Sequence, residues 1–161
     1  MKKLITIALM AISVNSFAQG VVKNGTIYKE HPYITIVNDL NTAFAKGDTT
    51  TVIKYYADTA VFYDSSSPKK MTFAQTRAGW QKLYANWDQI TIKAMGYPDG
   101  LEYTSDPFTV QSWWVITGLN KKTKKPVKFY EVTFDLFNKD GKISVETSYY
   151  DTSGIIEAMK P

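Results

Sequence analysis

Asp64 is the residue whose setting most suggests chemistry. It ends a β-type run, Thr59–Asp64, and opens the polar turn Ser65–Lys70. A carboxylate set among aromatic rings loses water and gains proton affinity, so it becomes a general base useful near neutrality. The same carboxylate also suits a turn cap that accepts from the Ser65–Ser67 backbone. Distributed along the chain are polar-tipped aromatics at Tyr63, Trp80, Tyr84, Trp87, Trp113, Trp114, Tyr130 and Tyr149. Such residues line cavities for flat or hydrophobic ligands, and they also fill cores. Trp113 and Trp114 are adjacent on a strand, so one points inward and the other outward. Asp151 follows Tyr149 and Tyr150. It is placed either to face a cavity mouth or to cap a terminal turn.

Other chemistries lack their residues. His31, beside Pro32, is the single histidine, and a zinc site or serine triad needs histidine in the domain core. With no cysteine in the chain there is neither a disulfide nor a thiolate. Glu131 and Asp135 share a strand face with Thr133, but two carboxylates without a third ligand make no metal site. No glycine-rich phosphate loop occurs, so no cofactor is expected. The lysine cluster Lys121–Lys125 and Lys128 reads as a solvated hairpin tip that protects a sheet edge, so no nucleic-acid partner is expected.

The elements that must position Asp64 and the aromatics are periodic. Pro32 suits a first helical turn, and Ile34, Val37, Leu40 and Phe44 recur at helical spacing up to Gly47. Asp48 caps a second short helix over Thr50–Tyr56. Thr72 with Gln75 forms a capping box for a helix to about Asn86. That helix aligns Phe73, Thr76, Trp80, Leu83, Tyr84 and Trp87 on one face. Gly79 within it suggests close approach of another backbone. From Gln89 the period changes to two, giving strands at Ile90–Ala94, Thr109–Leu119, Val127–Phe137 and Ile143–Asp151. In strand 127–137, Tyr130, Val132, Phe134 and Leu136 form the apolar set expected to face the helices. Phe129, Glu131, Thr133, Asp135 and Phe137 form a mixed set expected to face solvent or a partner subunit. Helices first and an antiparallel meander after them indicate an α+β domain.

At 161 residues, 44% hydrophobic and 21% charged, the chain is sized for one folded domain. Lys2 and Lys3, the apolar run Leu4–Val14 and Ser16-Phe17-Ala18 make residues 1–18 a signal peptide cleaved before Gln19. The expected location is therefore periplasmic or secreted, with no membrane anchor. Without Lys2 and Lys3 the excess of base over acid falls from four to two, so the basic balance is no functional clue. Residues 19–31 read as a flexible leader and 32–161 as the domain.

The segments Phe44-Ala45-Lys46-Gly47-Asp48, Tyr56–Asp64, Leu83–Asn86, Phe137–Ile143 and Tyr149-Tyr150-Asp151, in this order, resemble the nuclear-transport-factor-2-like superfamily, in its SnoaL-like and ketosteroid-isomerase-like branch. The resemblance covers about residues 33–155. It implies a cone-shaped barrel in which a curved antiparallel sheet wraps around the N-terminal helices, with an apolar pocket at the open end and often a homodimer. It places the branch's general-base carboxylate at Asp64. The branch's tyrosine donor falls at Leu40 and its second, acidic donor near Thr133, so no oxyanion set accompanies Asp64. The expectation is an exported domain that binds a small hydrophobic or aromatic ligand in an aromatic-lined pocket, as a homodimer through the sheet face. The alternatives are a SnoaL-like isomerase, cyclase or hydratase using Asp64, and a protein-interaction domain with a filled cone.

Overall fold

Helix α1, Pro32–Ala45, starts with proline at its first position, where a missing N–H costs nothing, and buries Ile34, Val37, Leu40 and Ala43. His31 caps it, with Nδ1 accepting from Tyr33 N at 3.2 Å. The computed structural model describes residues 22–161, so the expected signal peptide lies outside the described residues. Asp48 caps the short α2, Thr49–Val52, through Thr51 N at 3.0 Å. A 3-10 turn over Ile53–Tyr55 then leads into β2, Tyr56–Asp64. Helix α3, Phe73–Asn86, opens with both halves of the Thr72–Gln75 capping box. A short α4, Ser153–Met159, closes the chain.

Eight strands form one sheet among the described residues, ordered β1-β5-β6-β7-β8-β2-β3, with β4 paired to β6 beyond the end of β5. The long strands are β6, Thr109–Asn120, β7, Pro126–Phe137, and β8, Ile143–Tyr150. Strand β4 covers Trp87–Ala94. The sheet curves around α1 and α3 without closing into a barrel, and β1 and β3 remain as edges. Its pairings are antiparallel except for β2 with β8, so the sheet is mixed.

Three short strands depart from the sequence reading. Residues expected as a loose leader contribute β1, Gly25–Tyr28, which pairs with β5, Asp99–Tyr103. A side chain at Gly25 would place its Cβ 2.1 Å from the Glu102 carbonyl, so this strand can approach β5 only with glycine there. His31 also belongs to the fold, stacked on Phe108 at a centroid distance of 4.1 Å. The polar stretch after Asp64 turns at Ser65-Ser66 and returns as β3, Ser67–Thr72. Each of these strands gains its partner from the sheet rather than from its own β-propensity.

The two faces of β7 are the reverse of the expectation. Thr133, Asp135 and Phe137 are buried and turn inward with Glu131 and Phe129, while Tyr130 is 57% exposed on the outside with Val132, Phe134 and Leu136. The inward set reaches a cavity, where polar groups can be accommodated, and the outward apolar set is half-covered by side chains of neighbouring strands. Phe134 packs on Tyr149 at 6.2 Å.

Candidate functional site: an acid-floored cavity

A cavity of about 400 Å³ lies between α3 and the concave face of the sheet. That volume lies within the range of small-molecule sites. Helix α3 contributes Thr76, Trp80 and Leu83 because its capping box fixes where the helix begins and hence which stripe faces the sheet. Trp80 sits among Phe44, Tyr56, Phe62 and Phe73, with ring centroids 5.6 to 6.3 Å away. Gly79 approaches no other backbone, contrary to expectation. A Cβ there would meet nothing within 4 Å, and the residue borders the cavity.

The sheet side of the cavity is acidic. Alternation along β7 and β8 turns Glu131, Thr133, Asp135, Glu146, Ser148 and Tyr150 to the same side. The register sets Asp135 directly opposite Glu146, Thr133 opposite Ser148, and Glu131 opposite Tyr150. Asp64 joins them from β2, where it lies opposite Ser148. No lysine, arginine or histidine is among the residues lining this cavity.

These acids hold protons more tightly than free carboxyls do. Burial, then the nearby Glu146 carboxylate, push Glu131 up to about 8, with the Ser148 hydroxyl opposing and Asp64 adding to the rise. Burial, then Glu146 and Glu131, hold Asp135 well above the usual carboxylate range. Asp135 is 4% exposed. Glu146 is also raised by burial, but the hydroxyls of Tyr56 and Ser148 pull it back. Tyr56, at the start of β2, donates its hydroxyl to Glu146 Oε2. Both members of the facing pair are thus pushed toward their protonated forms, Asp135 the more strongly because two hydroxyls support the charged form of Glu146. Burial and then Glu146 raise the Tyr56 phenol in turn, so it stays a donor.

Behind Thr133 runs a closed polar network. Ser112 Oγ and Thr133 Oγ1 lie 2.7 Å apart, and the Trp114 indole N–H donates to Ser112 Oγ at 2.9 Å. Among the described residues, one buried polar side-chain atom has no hydrogen-bond partner, and it lies in this wall: Thr76 Oγ1. Native interiors leave few such atoms, so its position in a cavity wall is informative.

The sequence-derived site residues separate into groups. Asp64, Trp80 and Trp87 line the cavity, and Tyr63 borders it although it is 42% exposed. Asp64 also caps its turn: Oδ1 accepts from Ser66 N at 2.8 Å and from the Ser66 hydroxyl. Tyr84 does not join the cavity. It fastens α3 to α1, donating to the Phe44 carbonyl at 2.6 Å. Trp114 is buried in the core beneath the floor, and Trp113 takes the outer face, as adjacent strand residues must. Tyr130 and Tyr149, at 57% and 55% exposure, also lie outside. Asp151 faces solvent and accepts from Ser153 N at 2.8 Å, and that contact lowers its proton affinity. The sequence reading missed Tyr56 and Glu146 altogether and placed Glu131 and Asp135 on the wrong face. The tight turn Asn138–Gly141 signals the β7–β8 pairing, but counting outward from it puts Asp135 opposite Val145; an irregularity between Leu136 and Phe137 shifts the register by one and brings Glu146 there instead.

No family model and no curated protein matches the sequence, whereas solved structures match its shape. An NTF2-like protein of Burkholderia thailandensis superposes with a TM-score of 0.64 at 20% identity, covering 82% of this chain and 100% of that one. The fold is that of the nuclear-transport-factor-2-like superfamily. A Catenulispora acidiphila protein with the ketosteroid isomerase-like fold, solved in complex with trimethylamine, gives 0.63 at 16% identity over 80% of this chain and 93% of its own. The BvnE pinacolase of Penicillium brevicompactum gives 0.64 at 10% identity over 78% and 89%. Likeness at this identity shows the fold alone, so function has to be argued from the residues lining this cavity.

Proposed function

We propose that this is an exported small-molecule-binding domain whose ligand occupies the cavity between α3 and the floor of β7 and β8. The observation that carries the reading is Thr76 Oγ1, a buried hydroxyl without a partner in the wall of a cavity of about 400 Å³. A ligand acceptor would satisfy it, and the rings of Trp80, Trp87 and Phe129 would cover an apolar body. The trimethylamine complex and the pinacolase support a ligand or substrate in a cone of this shape. Export rests on residues 1–18 alone. Homodimerisation through the outer sheet face is supported by exposed Tyr130 and Tyr149 beside half-buried Trp113 and Phe134. Native mass spectrometry of the exported protein tests the reading: retained small molecules support it, and protein that neither retains nor takes up small aromatic compounds overturns it.

A second reading, a SnoaL-like proton-transfer enzyme, draws support from Glu131. With its carboxyl raised to about 8, it can accept or return a proton near neutrality, whereas Asp64 is engaged in capping its turn. Tyr56 lies in the same cavity as a hydroxyl donor. Solvent-deuterium exchange into a bound ketone, abolished by Glu131→Gln and retained by Asp64→Asn, would establish this reading over simple binding.

A further inference from the structure

Four carboxyls, Asp64, Glu131, Asp135 and Glu146, border one cavity that no basic side chain lines among the described residues. Asp135 and Glu146 face each other across the β7–β8 ladder, where like charges are unfavourable. Asp135 is more than nine-tenths buried and turns into the cavity, where the neighbouring Thr133 hydroxyl favours its charged form. Thr76, also more than nine-tenths buried, brings to the same wall a hydroxyl oxygen with no hydrogen-bond partner among the described residues, free to accept from an ammonium N–H. Above Asp135 stand Trp80, Trp87, Phe129 and Tyr150, the kind of ring faces that attract organic ammonium groups.

We infer that the cavity selects a small organic cation, an amine or quaternary ammonium on an apolar body, with its charged head on the Asp135–Glu146 pair and its body against the tryptophans. This rests on the small-molecule reading above and specifies its ligand class. Free of ligand, the floor lowers its charge by holding protons, as the raised Glu131 and Asp135 indicate. A cation entering the site replaces that proton, which leaves to the buffer, so charge is conserved across the step. The other titratable groups bordering this cavity are Tyr56, Tyr63 and Asp64 from β2, Glu131 from β7 and Tyr150 from β8. Both α3 and β4 present no ionisable side chain to it. A neutral acceptor ligand would behave in the opposite way, bonding to the protonated acids and favouring lower pH.

The test uses two probes of the same shape, 2-phenylethylammonium chloride and 2-phenylethanol, titrated calorimetrically into the intact protein. The ammonium probe is expected to bind at least about tenfold more tightly at neutral pH, to tighten between about pH 6 and about pH 8, and to release a proton detectable in buffers of different ionisation enthalpy. Asp135→Asn should cost the ammonium probe about tenfold and leave the alcohol unchanged. If that variant does not fold by circular dichroism, Glu131→Gln, which keeps shape and loses charge, provides the same comparison. If the alcohol binds as tightly as the ammonium, or the ammonium binds without pH dependence, the cation inference is overturned and the cavity remains a ligand site. If neither probe binds, the small-molecule reading fails with it.

Discussion

Asp135 and Glu146 stand directly opposite each other on β7 and β8, two carboxyls at a register position where sheets favour opposite charges or apolar pairs. Replacing one of them with its neutral isostere should therefore stabilise the fold. Asp135→Asn is expected to raise stability at about pH 8 by on the order of 1 kcal/mol or more, with little change at about pH 4, where both carboxyls are protonated. Urea denaturation at the two pH values measures the difference. A destabilised variant at the higher pH would show that Asp135 makes a favourable contact in its charged form that outweighs its repulsion from Glu146.

Stability should also fall as pH rises across neutrality. Glu131 is raised from an ordinary 4.5 to about 8. A carboxyl raised in the folded state contributes fully below its unfolded value, and that contribution is lost as pH climbs toward its folded value. The window therefore runs from about pH 4.5 to about pH 8. Each pH unit within it removes up to about 1.4 kcal/mol. Melting temperatures across this window should decline for the native protein, and the decline should be smaller for Glu131→Gln.

The Tyr56 hydroxyl donates to Glu146 across the parallel pairing of β2 with β8, and it acts on that carboxyl more strongly than the Ser148 hydroxyl does. Removing it leaves a charged, buried acceptor with less support. Tyr56→Phe should cost about 1.5–3 kcal/mol at neutral pH and less in acid, where Glu146 becomes neutral. A cost unchanged across that pH range would point to ring packing rather than the hydrogen bond.

Helix α3 offers a gain. Gly79 weakens a helix interior, and a methyl added there meets nothing within 4 Å. Gly79→Ala should therefore stabilise the domain by about 1 kcal/mol. Because the residue borders the cavity, the two probe affinities report whether the mouth tolerates the methyl.

Asp64 contributes to the floor electrostatically and holds its turn through Ser66. Its charge raises Glu131, though it ranks after burial and Glu146 among the causes of that rise. Carbon-13 NMR titration should show the Glu131 midpoint moving down in Asp64→Asn, and further down in Glu146→Gln. The reverse order would remove Glu146 from its place beside Glu131.

What could be read from the residues followed the range of the forces involved. The Thr72–Gln75 capping box, the helical spacing of Ile34 to Phe44 and the long strands β6 to β8 are local patterns, and each is present in the fold. Strands β1, β3 and β5 are short and polar, and β1 gains its partner some 75 residues away, so propensity carried little of their signal. The orientation of β7 was misread for another reason. Buried carboxyls violate the usual rule for which residues go inside, and only a cavity reverses it. The candidate site was accordingly visible in its aromatic wall, at Trp80 and Trp87, and hidden in its acidic floor.

The hydrogen bond from Tyr56 to Glu146 joins residues 90 positions apart. The parallel β2–β8 pairing around it cannot form until the chain has passed through the whole meander between them. Closing so long a segment costs entropy before any contact repays it, and folds dominated by such pairings form slowly, in milliseconds to seconds. The floor of the cavity is complete only once the last strand has docked beside β2. A chain that stops short of β8 would still carry its helices and tryptophans, but it would lack Glu146, Ser148 and Tyr150 and leave β2 without its parallel neighbour.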